Sequence, residues 1–212
     1  MSESACISGG RLIEAPAGQL ELQLDYPADC PVGKPIAIIC HPHPLYGGSL
    51  TNKVVHIIAR AINDLGLATV RFNFRGVGKS TGSFDDGRGE TEDLLAVNNW
   101  VRQQHPDSPI WLAGFSFGAY IALKAHQLVA AEKLLLVAPP VTLYDLSDVP
   151  RVDIPWWVIQ GGQDEVIDPH AVDNWVKRHP TPPVYEWFEP GSHFFHGQLN
   201  YLRDFVKLAW QA

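Results

Sequence analysis

Ile110-Trp111-Leu112-Ala113-Gly114-Phe115-Ser116-Phe117-Gly118 is an apolar run that breaks into G-x-S-x-G and then continues with apolar residues at helical spacing to residue 129. A short buried strand that turns sharply into a helix is the reading that decides the fold. Glycines at 114 and 118 remove the side chains that would collide in such a reversal, so the Ser116 hydroxyl can stand clear at the strand's carboxyl end. Ser116 is therefore the candidate nucleophile.

The same alternation recurs on either side. Residues 36–40, 68–74, 134–138 and 156–159 join 110–113 as nearly continuous apolar runs, the pattern of strands buried on both faces. Residues 19–26 alternate instead, with Leu20, Leu22, Leu24 and Tyr26 on one face, as in a half-exposed antiparallel strand near a sheet edge. Residues 6–14 are expected to pair with it. Helical patterns fall between the strands at 54–65, 91–104, 117–129, 169–177 and about 197–210. Gly66 suits the stop of the first, and Asp168-Pro169 suits the start of the fourth, with the aspartate as cap. Leu199, Leu202, Val206 and Ala209 give the last helix one apolar face, which belongs in the core. The expected fold is α/β: a doubly wound, mainly parallel sheet with helices on both faces and an antiparallel N-terminal edge.

The 212 residues, 46% hydrophobic and 18% charged, fit one globular domain over 1–212, with no repeat or linker to divide it. A net charge of −7 with 16 scattered basic residues gives no basic stripe for nucleic acid or an anionic membrane. The first six residues lack a basic start and an apolar run, so the chain is expected to be cytoplasmic. Cys6, Cys30 and Cys40 are too few and too scattered for a disulfide framework, and Cys40 reads as a small buried hydrophobe.

A serine hydroxyl attacks a carbonyl only when a base takes its proton and an acid orients that base. Asp164 follows the run 156–159 directly, at a strand's carboxyl end, where open parallel sheets place functional loops. Asp168 is its rival, with a competing role as helix cap. His193 follows the strand-like stretch 184–188 and precedes the last helix; His196 is the nearby alternative. Ser116, Asp164 and His193 thus stand in the order Ser, Asp, His, each after its own strand, the order of an α/β-hydrolase.

From about residue 18 to 210 the chain resembles a minimal α/β-hydrolase. H-P-H-P-L-Y-G-G at 41–48, R-F-N-F-R-G-V-G-K-S at 71–80 and G-G-Q-D-E-V-I-D at 161–168 are similar to a small group of bacterial predicted hydrolases in that superfamily. The resemblance implies the fold and the reaction class. Larger relatives insert a cap where this chain has only the short stretch 139–153, so no cap domain and an open pocket are expected.

Acyl transfer also needs fixed amide donors for the oxyanion of the tetrahedral intermediate. Phe117, next to the serine, should supply one, and the loop after 35–41 the other. Pro42 and Pro44 have no N–H, which leaves His43 first and Leu45 next. Resemblance to hydrolases with an H-G-x-P loop favours His43, although proline stands here where those have glycine.

Other motifs point less far. His41 and His43 form H-x-H, but no metal-binding continuation follows, so no metal is expected. Gly76-Val77-Gly78-Lys79-Ser80 lacks the earlier glycine of a nucleotide-binding loop, because position 73 is Asn, and Arg71, Arg75 and Lys79 there read mainly as structural. At least one of Trp156 and Trp157 should pack in the core. The function expected is hydrolysis of a small carboxylic ester or thioester through an acyl-enzyme on Ser116, with a small-molecule acyl substrate and no cofactor. A peptidase or amidase with the same triad, or a binding protein that keeps the fold without turnover, are the alternatives.

Overall fold

The computed structural model describes residues 7–28 and 33–211. Cys6, Cys30 and the first residue of the expected strand 6–14 lie outside them. Among the described residues, eight strands form one sheet in the order β1-β2-β4-β3-β5-β6-β7-β8. These are β1 (Gly9–Ala15), β2 (Gly18–Asp25), β3 (Ile36–Cys40), β4 (Ala68–Phe72), β5 (Ile110–Phe115), β6 (Ala131–Val137), β7 (Trp156–Gly161) and β8 (Val184–Phe188). The first two strands pair antiparallel, and β2 pairs antiparallel with β4 through Leu22 opposite Phe72. All the remaining pairs are parallel, as the continuous apolar runs require.

Strand alternation sorts the core into two halves. Ile36, Ile38, Leu112, Leu134 and Leu136 point to one face, and Ala37, Ile39, Ala113, Leu135 and Val137 to the other. Helices α2 (Arg88–Gln104), α3 (Phe117–Ala125) and α4 (Pro169–Arg178) cover the first face through residues such as Leu94, Ile121 and Val172. Helices α1 (Lys53–Asn63) and α5 (Leu199–Trp210) cover the second, with Ile58 and Val206 in its core. This is the doubly wound arrangement. Leu20, Leu22 and Leu24 are buried on the inner face of β2, while the residues between them stay partly exposed.

Several boundaries differ from the sequence reading. β6 starts at Ala131 rather than 134, because exposed Glu132 and half-buried Lys133 interrupt the apolar pattern without ending the pairing. α3 stops at Ala125 rather than 129: the chain turns through residues 126–130, with Ala130 at φ 49, although Val129 is still buried. α2 starts at Arg88 rather than 91. Its first turn is closed by the Glu90 carboxylate, which accepts from the amides of Gly87 at 2.8 Å and Asp85 at 2.9 Å.

Because β3, β5, β6, β7 and β8 run in one direction, the loops that follow them emerge along a single edge of the sheet. Between β6 and β7, residues 138–155 contain only turns, bends and irregular chain, so no cap domain is inserted between these two strands.

Candidate active site

The β5–α3 turn holds Ser116 at φ 53 and ψ −120, a conformation that costs a non-glycine residue of order 1–3 kcal/mol and persists only when its surroundings enforce it. The surroundings do so by close approach. A Cβ at position 114 would lie 2.2 Å from the Gly118 carbonyl oxygen, and one at 118 would lie 2.3 Å from that of Cys40. The Ser116 amide donates to Val137 O at 2.9 Å, and its carbonyl accepts from Ala119 at 2.8 Å, which anchors the turn on both sides.

Ser116 Oγ lies 3.1 Å from His193 Nε2, and His193 Nδ1 lies 2.8 Å from Asp164 Oδ2. All three residues are buried. The Asp164 carboxylate accepts four hydrogen bonds: Oδ1 takes the amides of Val166 at 2.8 Å and Ile167 at 2.7 Å, while Oδ2 takes His193 and Gln160 Nε2, the latter at 2.9 Å. Burial pushes this carboxyl upward. The His193 hydrogen bond and charge and the two amides outweigh it and hold the group below the ordinary carboxylate range. An ionised carboxylate beside Nδ1 favours the tautomer with the ring proton on Nδ1, which leaves Nε2 as an acceptor facing Ser116 Oγ.

Two contributors were not visible in the sequence. Gln160 lies in the apolar run of β7 with no motif to mark it, and Glu165 looks like an ordinary surface acid. Glu165 Oε2 accepts from the His193 amide at 3.0 Å, tying the loop after β8 to the loop after β7.

The loop after β3 is built around its two histidines. His41 is buried, its Nδ1 donating to Pro42 O at 2.6 Å and its Nε2 accepting from the Phe74 amide at 3.0 Å. Burial, chiefly, pushes its pKa from the ordinary 6.5 down to about 4, which keeps the ring neutral. The His43 carbonyl accepts from the amides of Tyr46 and Gly48, both at 3.1 Å, and His43 Nδ1 accepts from the Leu45 amide at 3.2 Å. The Leu45 N–H is thus already engaged. Among the described residues, no acceptor takes the amides of His43 or Phe117.

The other singled-out residues fall elsewhere. Asp168 caps α4, accepting from the His170 amide at 2.9 Å. The ring of His196 is exposed and packs near Phe194 rather than against Ser116. Arg75 pairs with Asp93 at 2.8 Å, Arg71 with Asp25 at 2.8 Å, and Lys79 sits 3.8 Å from Glu21, so this loop braces the fold. Cys40 is buried, and its thiol is pushed up by that burial. Trp156 is buried in the core. Both ring nitrogens of His41 are in use, and among the described residues no group of three or more His, Cys, Asp or Glu side chains could hold a metal ion.

A cavity of about 330 Å³ opens over Ser116 and is walled mainly by apolar side chains, among them Phe117, Leu143, Tyr144, Val166 and Phe194. A mainly parallel sheet of this strand order, with a serine on a strained strand-to-helix turn, is the arrangement of the α/β-hydrolase class. Residues 38–129 match the model of the alpha/beta hydrolase fold family. XC6422 from Xanthomonas campestris, described as an α/β serine hydrolase without lid, is 44% identical with a TM-score of 0.92, over 96% of this chain and 94% of that one. An α/β serine hydrolase homologue from Coxiella burnetii is 45% identical with a TM-score of 0.90, over 95% of this chain and 97% of that one. The chain belongs to the α/β serine hydrolase family. Protein RP471 of Rickettsia prowazekii (strain Madrid E) is 40% identical over 68% of this chain, and the match spans 63% of that protein's length. Among the described residues, no helix is long and apolar enough to cross a membrane.

Proposed function

We propose that this protein hydrolyses carboxylic esters or thioesters with an apolar acyl group, through an acyl-enzyme on Ser116. The observation that carries this reading is the chain of two hydrogen bonds from Ser116 Oγ through His193 to Asp164, at 3.1 and 2.8 Å. As Oγ bonds to the carbonyl carbon, His193 Nε2 takes the hydroxyl proton and Asp164 stabilises the imidazolium. The carbonyl oxygen becomes an oxyanion and meets the Phe117 and His43 amides. The engaged Leu45 amide favours His43 as the second donor. Collapse of this intermediate expels the alcohol or thiol, which leaves with the proton from His193. Water then attacks the acyl carbon and gives a proton to His193; collapse releases the acid and returns the proton to Ser116. The apolar walls over Ser116 support an apolar acyl group.

A fluorophosphonate probe tests the nucleophile, and a panel of matched esters, thioesters and amides tests the bond cleaved. Labelling that is lost in Ser116→Ala, together with ester or thioester turnover, is expected. Efficient amide cleavage without ester turnover would replace the reading with an amidase, and no labelling in the folded protein would remove the serine from chemistry.

A further inference from the structure

The cavity over Ser116 borders a second one of about 410 Å³, and Gly47, Asn52 and Phe194 line both. The second has a different chemistry. Ser49, Thr51, Asn52, Lys53 and His196 line it, and among the described residues no Asp or Glu lines either cavity, although the chain carries a net charge of −7.

Its polar groups are also biased toward donation. Asn52 Oδ1 is spent on the amides of Val54 at 2.9 Å and Val55 at 3.4 Å, so only its NH₂ remains for a ligand. Those two bonds also satisfy amides of the first turn of α1, which therefore do not provide the binding capacity. Ser49 Oγ and Thr51 Oγ1 share one hydrogen bond at 2.9 Å, which uses one hydroxyl hydrogen and leaves the other. Lys53 is exposed and enters no ion pair among the described residues. An ammonium, an amide NH₂ and a hydroxyl without a neighbouring carboxylate match a ligand rich in acceptors and negatively charged.

Position assigns this ligand to one half of the substrate. The mainly apolar cavity over Ser116 takes the acyl group, and a substrate bonded there can reach the second cavity only past the shared Gly47, Asn52 and Phe194, so the second cavity is left to the departing alcohol or thiol. Resting on the serine-hydrolase reading above, we propose that the second cavity binds a carboxylate or phosphate carried by the leaving alcohol or thiol, while the apolar acyl group occupies the first. The substrate is thus an ester or thioester with an apolar acid half and an anionic leaving half.

Three butyrate esters of similar size test this: 4-butyryloxybenzoate, 4-butyryloxyphenyl phosphate and the neutral 4-butyryloxybenzamide. Each kcat/KM is divided by the ester's own rate of alkaline hydrolysis to remove intrinsic reactivity. One or both anionic esters should exceed the neutral one by about tenfold, the scale of a charge-assisted contact. Lys53→Gln, at an exposed position, should bring that ratio toward one. Preference for a single anion supports the proposal and names the group as carboxylate or phosphate. Turnover of the neutral ester with a wild-type ratio near one overturns the inference while leaving the serine-hydrolase reading intact. An anionic preference that survives Lys53→Gln also overturns it. Failure to hydrolyse any of the three while a fluorophosphonate still labels Ser116 overturns this inference alone, whereas failure of both turnover and labelling overturns the serine-hydrolase reading as well.

Discussion

Glu165 Oε2 accepts a hydrogen bond from the backbone N–H of His193 at 3.0 Å, while Asp164, the preceding residue, holds the His193 ring at 2.8 Å. Two consecutive acids thus grip one histidine, the first by its side chain and the second by its backbone. The loops after β7 and β8 meet at this point, and neither belongs to a regular element that would fix it. A carboxylate acceptor on an amide donor is a strong tie for such a junction.

Removing that tie should disturb the placement of the imidazole more than the stability of the fold. Glu165→Ala should lower kcat on an activated ester by about tenfold with little change in KM, since small displacements of a reacting group carry costs on this scale. Glu165 is exposed, so its loss should cost within about 1 kcal/mol of stability. Glu165→Gln keeps an acceptor oxygen and should recover most of the rate. Steady-state kinetics and urea melts on the three proteins check this; equal kcat in all three, or a loss shared equally by Gln and Ala, would end the positioning role.

Asp164→Asn should fail in either orientation of the new amide. All four partners of the carboxylate are donors, two on each oxygen, so the NH₂ must face either Val166 and Ile167 or Gln160 and His193. The expected result is a kcat lowered by about ten-thousandfold with the imidazole in the wrong tautomer. A stability loss of about 1–3 kcal/mol from mispaired buried groups should accompany it. Asp168→Ala should instead cost about 1 kcal/mol through loss of the α4 cap, with kcat nearly retained. Measuring both variants side by side decides the matter: a larger kcat loss for Asp168→Ala would move the acid role to Asp168.

The sheet and the turn that carries Ser116 were legible because each rests on a local pattern: continuous apolar runs between helical periods, and glycines on both sides of one serine. Asp164 and His193 could be singled out since each follows a strand in the parallel direction. Gln160 and Glu165 had no such pattern. Gln160 interrupts an apolar strand, and only the fold brings its amide to Asp164; Glu165 acts through a backbone amide 28 positions away. The choice between His43 and Leu45 likewise depends on a side-chain rotamer, because the His43 ring occupies the Leu45 N–H.

Ser116 offers a test in which function and stability move in opposite directions. Both Ser116→Ala and Ser116→Gly should abolish ester turnover by removing Oγ. Alanine retains the strain of φ 53, whereas glycine relieves about 1–3 kcal/mol of it and gives back about 0.5–1 kcal/mol in unfolded-chain entropy. The glycine variant should therefore be the more stable of the two by about 1 kcal/mol in denaturant melts. An alanine variant as stable as the glycine variant would mean that the turn stores no strain at this residue.

His41 gives the fold a pH dependence whose sign follows from its burial. With the folded pKa near 4 and the ordinary value 6.5, the unfolded chain binds a proton at His41 before the folded protein does as pH falls. Its contribution to stability is therefore complete above pH 6.5, declines between 6.5 and about 4, and is flat below, with a total of about 3 kcal/mol. His41→Gln removes this titration and, above pH 6.5, costs the hydrogen bond from the Phe74 amide. The stability gap between wild type and variant, taken from urea melts, should be widest at pH 8 and narrow by about 2–3 kcal/mol at pH 4.5, while the other acid-titrating groups cancel in the difference. A gap that stays constant across that range would mean that His41 accepts a proton in the folded protein as readily as in the unfolded chain, and that the loop carrying His43 does not depend on its neutral form.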